Sequence, residues 1–275
     1  MLFLSVVHMK KLKRSAALAL VLGLIISLCG CSLNEVGKYQ IVDRLQNQSF
    51  CIGFRSGDKV GTIVTSALEE LEASGKLREL SIKWLGEDVS MLSGDDSALD
   101  LILPSIEPRT LIVGCDGGRL PFSGADENGE LTGFDVELAR EVCKLLGWQL
   151  KLIAIDVSEA EVELNSGNVD CVWGGFAYDA SYTQIDLSPV YMKNTIVLVS
   201  LSGSGIRSAR GLSGKALTLS ENCYFNAVLD ANETLKNRPS IINRIPGGTA
   251  ACIDSLNNEG CDAIIADIYS LDYYR

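Results

Sequence analysis

Between residues 134 and 147 the apolar positions Phe134, Leu138, Val142 and Leu145 recur at helical spacing, with charged residues on the opposite face. Gly147 stands where a left-handed residue would stop that helix. A β-like run precedes it at 111–115 and another follows at 148–155. Residues 126–130, with Asn128-Gly129 at the tip, have the composition of a hairpin-like turn. The order strand, turn, helix, strand predicts an α/β layer, in which ligands usually sit beyond the C-terminal ends of strands.

Similar patterns extend along the chain. Strands are expected at 38–42 and 50–54, joined by a polar stretch at 43–49. Asp58 is placed to cap a helix whose apolar face is Val60, Ile63, Val64, Ala67, Leu68 and Leu71. Ser74-Gly75 breaks it, and a shorter helix runs from 77 to 85 before Gly86. Residues 87–108 are acidic and irregular and read as a linker. Beyond 109 strands and helices alternate: a short helix at 158–164, a strand at 169–173, and a long apolar run at 195–200. Then come a strand at 216–219, a helix at 224–235, a strand at 240–245, a helix at 249–257, a strand at 263–266 and a last helix at 268–274.

A chain of 275 residues can hold one large domain or two lobes, each with its own core. Hydrophobic content of 47% with 21% charged marks it as globular. The net charge of −11 argues against a nucleic-acid partner, since phosphate binding needs a basic surface.

The first thirty residues stand apart from the fold. Lys10, Lys11, Lys13 and Arg14 precede an apolar run at 16–28, the layout of an export signal. Leu28-Cys29-Gly30-Cys31 then matches the bacterial lipobox, with Cys31 as the residue that would carry the lipid. The alternative is a plain membrane anchor, although the run is short for a helix of about 20 residues. Removal of residues 1–30 leaves 20 of the 24 basic residues against 35 acidic ones, a net charge of −15. It also removes His8, the only histidine, which excludes a Ser-His-Asp triad and a His-ligated zinc site from the remainder. None of the nine cysteines forms a C-x-x-C pair, so neither a zinc knuckle nor a redox motif is indicated, and no cofactor or metal is expected. Cys51, Cys115 and Cys171 read as small buried hydrophobes, and Cys252 with Cys261 is the pair to test for a bridge.

Several pieces between 109 and 274 carry a family resemblance in their order and spacing. They are Leu111-Ile112-Val113-Gly114-Cys115-Asp116, Pro121-Phe122, Asn128-Gly129-Glu130-Leu131-Thr132-Gly133-Phe134-Asp135 and Ser166-Gly167-Asn168-Val169-Asp170. Leu187-Ser188-Pro189-Val190-Tyr191, Leu212-Ser213-Gly214-Lys215 and Cys261-Asp262-Ala263-Ile264-Ile265-Ala266-Asp267 continue the series. This region resembles the extracytoplasmic solute-binding proteins of amino-acid ABC importers. The resemblance implies a two-lobed α/β fold of the periplasmic-binding-protein type (type II), with hinge strands, closing over a small ligand. It implies capture and delivery to a permease, not covalent chemistry.

The stretch 50–58, with 67–75 and 83–86, resembles the end of that family and not its beginning, so the chain reads as circularly permuted. The competing account is a fused partial duplicate. Permutation would place 50–86 and 109–194 in lobe I and make 87–108 the linker. Residues 38–49 and 195–275 would form lobe II and the hinge.

The resemblance assigns Asp267 to a ligand's ammonium group, with a helix N-cap as the competing role. Asp116 would hold the binding loop or touch ligand. Arg119 stands where the family often has a stacking aromatic, and Phe122 would line the cleft or the core. Gly174, Gly175, Phe176 and Ala177 would offer backbone groups, and Trp173 and Tyr178 would line the cleft or pack. Two departures matter: residues 179–182 lack the family's carboxylate-clamping arginine, and Asn222-Cys223-Tyr224 replaces its small Gly-Ser loop. Arg119 is therefore expected to take over the clamp. The ligand expected is a small zwitterion or a cation-bearing acid, held by a monomeric, lipid-anchored protein on the extracytoplasmic face of the cell membrane. A different class is a secreted dehydratase-like enzyme on the same fold, which needs an acid catalyst. Glu221 and Asp179 are its candidates.

Overall fold

The computed structural model describes residues 35–275 apart from 96 and 222. The leader at 1–30, Cys31, Asn222 and the side chain of Cys223 lie outside the described residues. Both lobes lie within the single unit Val36–Arg275.

Two sheets organise it. Strand β1 (Tyr39–Phe50) is followed by β2 (Gly53–Arg55) and the helices α1 (Lys59–Ala73), α2 (Lys76–Leu85) and α3 (Ser97–Ile102). Next come β3 (Thr110–Cys115), β4 (Gly118–Arg119), β5 (Ser123–Ala125) and β6 (Leu131–Thr132). Helix α4 (Phe134–Leu146), β7 (Gln149–Ala154), α5 (Ala160–Ser166), β8 (Cys171–Val172) and β9 (Ile185–Leu187) complete the first lobe. The second lobe continues through β10 (Met192–Leu201), β11 (Ala216–Ser220), α6 (Cys223–Ala231), α7 (Glu233–Asn237) and β12 (Ile241–Ile245). Helix α8 (Gly248–Asn257), β13 (Ala263–Asp267) and α9 (Ile268–Tyr273) end it. Among the described residues no helix is long and apolar enough to cross a membrane.

Lobe I is a five-stranded sheet in the order β9-β2-β8-β3-β7. Strand β3 runs parallel to β7 and β8, while β2 is antiparallel to both its neighbours. One core contains Phe54, Val60, Val64 and Leu68 together with Leu111, Val113, Phe134, Leu138 and Val142. Residues of α1 and α2 thus share a core with β3 and α4. A second core gathers Cys51, Leu164, Val169, Val172 and Phe176. Lobe II contains, in hydrogen-bonded order, β1, β10, β13, β11 and β12. Alternation decides its two faces: Ile196 and Leu198 enter one core with Phe225 and Leu229, and Val197 and Val199 the other with Ile253 and Leu256.

The long antiparallel pair β1–β10 joins the lobes. Phe50 and Met192 lie in the lobe I core, whereas Ile41 and Val199, paired in register, lie in lobe II. The register slips twice along this pair, between Ile196 and Val197 and between Leu198 and Val199. The polar stretch 43–49, expected to separate two strands, is instead the middle of one strand of 12 residues. It crosses between lobes, where little apolar surface is available to cover it, so its side chains are mostly polar.

Two other expectations change, and the cysteine pair singled out for testing is unbridged. The stretch 87–108 contains α3, and Val89 and Leu99 are buried in the lobe I core. The helix expected at 224–235 is two, because the Asn232 side chain accepts from the N–H groups of Thr234 and Leu235 and starts a new one. Cys252 and Cys261 are buried and free.

Candidate functional site

The site lies where the lobes meet, beyond the C-terminal ends of β3 and β13. Asp116 follows β3, and its Oδ1 accepts from the Gly118 N–H at 2.7 Å, setting the turn into β4. That turn delivers Arg119, only 1% exposed, to the lobe boundary. From lobe II comes Asp267, the last residue of β13 and 0% exposed. It occupies the N-cap position of α9, but its side chain makes no capping hydrogen bond. The carboxylate instead takes two hydrogen bonds from Arg119, Nε to Oδ2 at 2.9 Å and Nη2 to Oδ1 at 2.7 Å. Arg119 Nη1 donates to the Gly175 carbonyl and Nη2 also to Gln48 Oε1 at 2.7 Å.

The remaining partners complete a buried polar cluster. Gln48 on β1 and Asn194 on β10 are cross-strand partners. Asn194 Nδ2 donates to Gln48 Oε1 and to Asp267 Oδ1. The Tyr224 ring lies 3.7 Å from the centre of the guanidinium, and its hydroxyl donates to Asp116 Oδ2. Burial works against the charge on Arg119. Asp267, with Tyr224 and Asp116, more than offsets it, so the guanidinium is held above its ordinary pKa.

Asp135, in the first turn of α4, fixes the loop from below. Its Oδ2 accepts from the Gly175 N–H at 2.8 Å, and its Oδ1 from the Tyr191 hydroxyl at 2.7 Å. Burial pushes its carboxyl from the ordinary 3.8 up to about 6, against the pull of those two bonds and of Arg119. The folded state therefore binds this proton more tightly than the unfolded chain. The stability it contributes is full below pH 3.8 and is lost as pH rises through about 6. We expect that loss to be on the order of 2–3 kcal/mol. Asp135→Asn removes the charge and keeps an acceptor for the Gly175 N–H, while its amide NH2 faces the Tyr191 oxygen, which then accepts instead of donating. Urea titrations at pH 4 and pH 7 should show the drop in the parent and not in the variant. An equal drop in both would assign it to another group.

A cavity of about 450 Å³ opens beside Arg119, lined by Asn47, Ser49, Ser158, Phe176, Tyr178, Tyr182 and Tyr224 among others. Of the residues expected at the site, Arg119, Gly175, Phe176, Ala177, Tyr178 and Tyr224 line this cavity. Phe122 is fully buried in the lobe I core, its ring edge-on to Phe50, and Trp173 packs against Tyr191. Asp116 and Asp267 stand behind the cavity as partners of Tyr224 and Arg119. Asp179 Oδ1 accepts from the Ser181 N–H, which holds its carboxyl below the usual range, the reverse of what an acid catalyst needs. Gln48, Asn194 and Asp135 were not among the expected residues. No local signal marks the two amides: Gln48 lies in a stretch with the composition of a loop, and only the register of β1 against β10 sets it beside Asn194.

Residues 111–248 match the model of the bacterial extracellular solute-binding proteins, family 3. The arginine-binding extracellular protein ArtP of Bacillus subtilis is 33% identical over 110 residues, 40% of this chain and 43% of that one. The lysine/arginine/ornithine-binding periplasmic protein of Escherichia coli is 26% identical over 133 residues, 48% and 50% of the two chains. The chain thus spans about half the length, or less, of these curated relatives. An ABC uptake transporter substrate-binding protein from Streptococcus pneumoniae, solved with bound histidine, superposes with a TM-score of 0.53 at 29% identity. That superposition covers 64% of this chain and 71% of the other.

Proposed function

Since this chain belongs to the bacterial extracellular solute-binding proteins of family 3, we propose that it captures a small amino-acid-like solute between its lobes and delivers it to an ABC importer. The observation that carries the reading is the buried Arg119–Asp267 pair, one charge from each lobe, at the closing surface. A zwitterion exchanges with that pair: its carboxylate takes the planar fork of Arg119 and its cationic group takes Asp267. The neighbouring cavity accepts the rest of the solute. The relatives named for arginine, lysine and histidine support a ligand of this class.

The protein acts as a monomer on the extracytoplasmic face, held at the membrane by lipid on Cys31. One acyl chain anchors only marginally, so two or more are expected. The order of segments is a circular permutation: β2, α1 and α2 belong with lobe I, yet they precede the stretch that matches the family.

Mass spectrometry of the full chain purified from membranes tests both parts. The expected results are an intact mass that begins at a lipidated Cys31 and a zwitterionic solute released on denaturation. A chain that keeps residues 1–30 would sink the anchor. An empty chain that gives no heat with any of the common amino acids in calorimetry would sink the solute class.

A further inference from the structure

The guanidinium of Arg119 is surrounded as a bound small molecule would be. A carboxylate grips it through two hydrogen bonds, a main-chain carbonyl and a carboxamide take two more, and an aromatic ring covers its face. The carboxylate and the ring belong to lobe II, whereas Arg119 is carried by lobe I. Gly175 is shaped around the side chain: it has φ +66°, and a Cβ there would come within 2.8 Å of Arg119 Cδ. The hairpin that carries Arg119 is drawn flush onto lobe II. A Cβ on Gly248 would lie 2.0 Å from the Gly118 carbonyl oxygen, so only glycine permits the approach. Ser270 Oγ of α9 donates to the Leu120 carbonyl at 3.0 Å, one residue beyond Arg119.

We propose that Arg119 is a tethered ligand. It fills a guanidinium cage built mainly by the opposite lobe, and so holds the lobes closed without solute. The cage selects for a planar cation, because Asp267, Gly175 and Gln48 all accept in the plane and Tyr224 stacks above it. Cutting the tether should turn the site into a receptor for free guanidinium compounds. This goes beyond the solute-capture reading and does not depend on what the solute is.

The test uses the full chain in detergent, with millimolar n-propylguanidinium as probe and n-propylammonium at equal ionic strength as control. Arg119→Ala vacates the cage, and the probe should raise its melting temperature by at least about 3 °C. The parent should not respond, nor should Arg119→Ala combined with Asp267→Asn. If Arg119→Ala alone does not fold, the probe should restore a cooperative melt. An equal rise in the parent, or no effect of the probe on Arg119→Ala, overturns the cage. Closure is read separately on Arg119→Met/Asp267→Asn, which removes both members of the pair and strands neither. Amides in residues 117–124 and 246–252 should exchange hydrogen at least about tenfold faster than in the parent. Unchanged exchange would overturn the role of Arg119 in holding the lobes together.

Discussion

Asp267→Asn alone is expected to destabilise the protein by about 3–5 kcal/mol, because it strands the Arg119 charge in a site closed to water. Arg119→Met alone should cost a similar amount by stranding Asp267. The double variant Arg119→Met/Asp267→Asn should recover much of the loss, with a coupling of about 2 kcal/mol or more. The asymmetry follows from desolvation. Attraction within a buried pair offsets the cost of burying both charges, and removing one partner leaves that cost without its offset. Tyr224 and Gln48 soften the loss without replacing a carboxylate. Urea denaturation of the four proteins at neutral pH measures the cycle. Two single losses that simply add would mean that the two charges do not stabilise one another.

Deleting residues 38–86 should abolish cooperative unfolding of the remainder. The deletion removes β2, an internal strand of the lobe I sheet, and leaves β8 and β9 with unpaired edges. It also takes Phe54, Val60, Val64, Leu68, Leu77 and Leu80 out of a core shared with Leu111, Phe134 and Val142. At about 1.5–3 kcal/mol per buried side chain, that loss is as large as the whole stability of a typical domain. Circular dichroism on heating should show no sigmoidal transition. A remainder that melts at the parent's midpoint would make 38–86 an appendage and remove the structural ground for permutation.

Much of the fold was legible because burial on one side imposes a period. Helix α4 announced itself through Phe134, Leu138 and Val142, all now buried, and Gly147 ends it at φ +67°. Helix α1 was equally plain, with the Asp58 carboxylate accepting from the Val60 N–H as its composition suggested. What failed were segments with weak one-sided burial. The middle of β1 is paired along its length but sets only Leu45 against a core, so its Asp, Arg, Gln and Asn residues carried the signature of a loop. Leu99, inside an acidic stretch, gave no pattern long enough to show a period.

The site was legible as residues and not as partners. Asp116, Arg119, Tyr224 and Asp267 do converge, although the first and last are 151 positions apart in the chain and nothing local links them. That Arg119 and Asp267 would pair with each other depends on how the lobes approach. The glycine contact between Gly118 and Gly248 decides that approach, and no spacing in the sequence encodes it. Gln48 and Asn194 were hidden for a related reason. Each is an ordinary amide in its own strand and acquires a purpose only from the register of β1 against β10.

The Trp84–Tyr273 stack has an optical consequence. The rings lie 6.1 Å apart with 23° between their planes, one on α2 of lobe I and the other on α9 of lobe II. The Trp84 indole also donates to Glu137 on α4, so it moves with lobe I. The other two tryptophans, Trp148 and Trp173, are buried within lobe I and keep their surroundings however the lobes move. Intrinsic fluorescence should thus combine two emitters inside lobe I with one whose stacking on a tyrosine depends on contact across the lobes. The molecule carries its own gauge of opening, and Trp84→Phe is its blank.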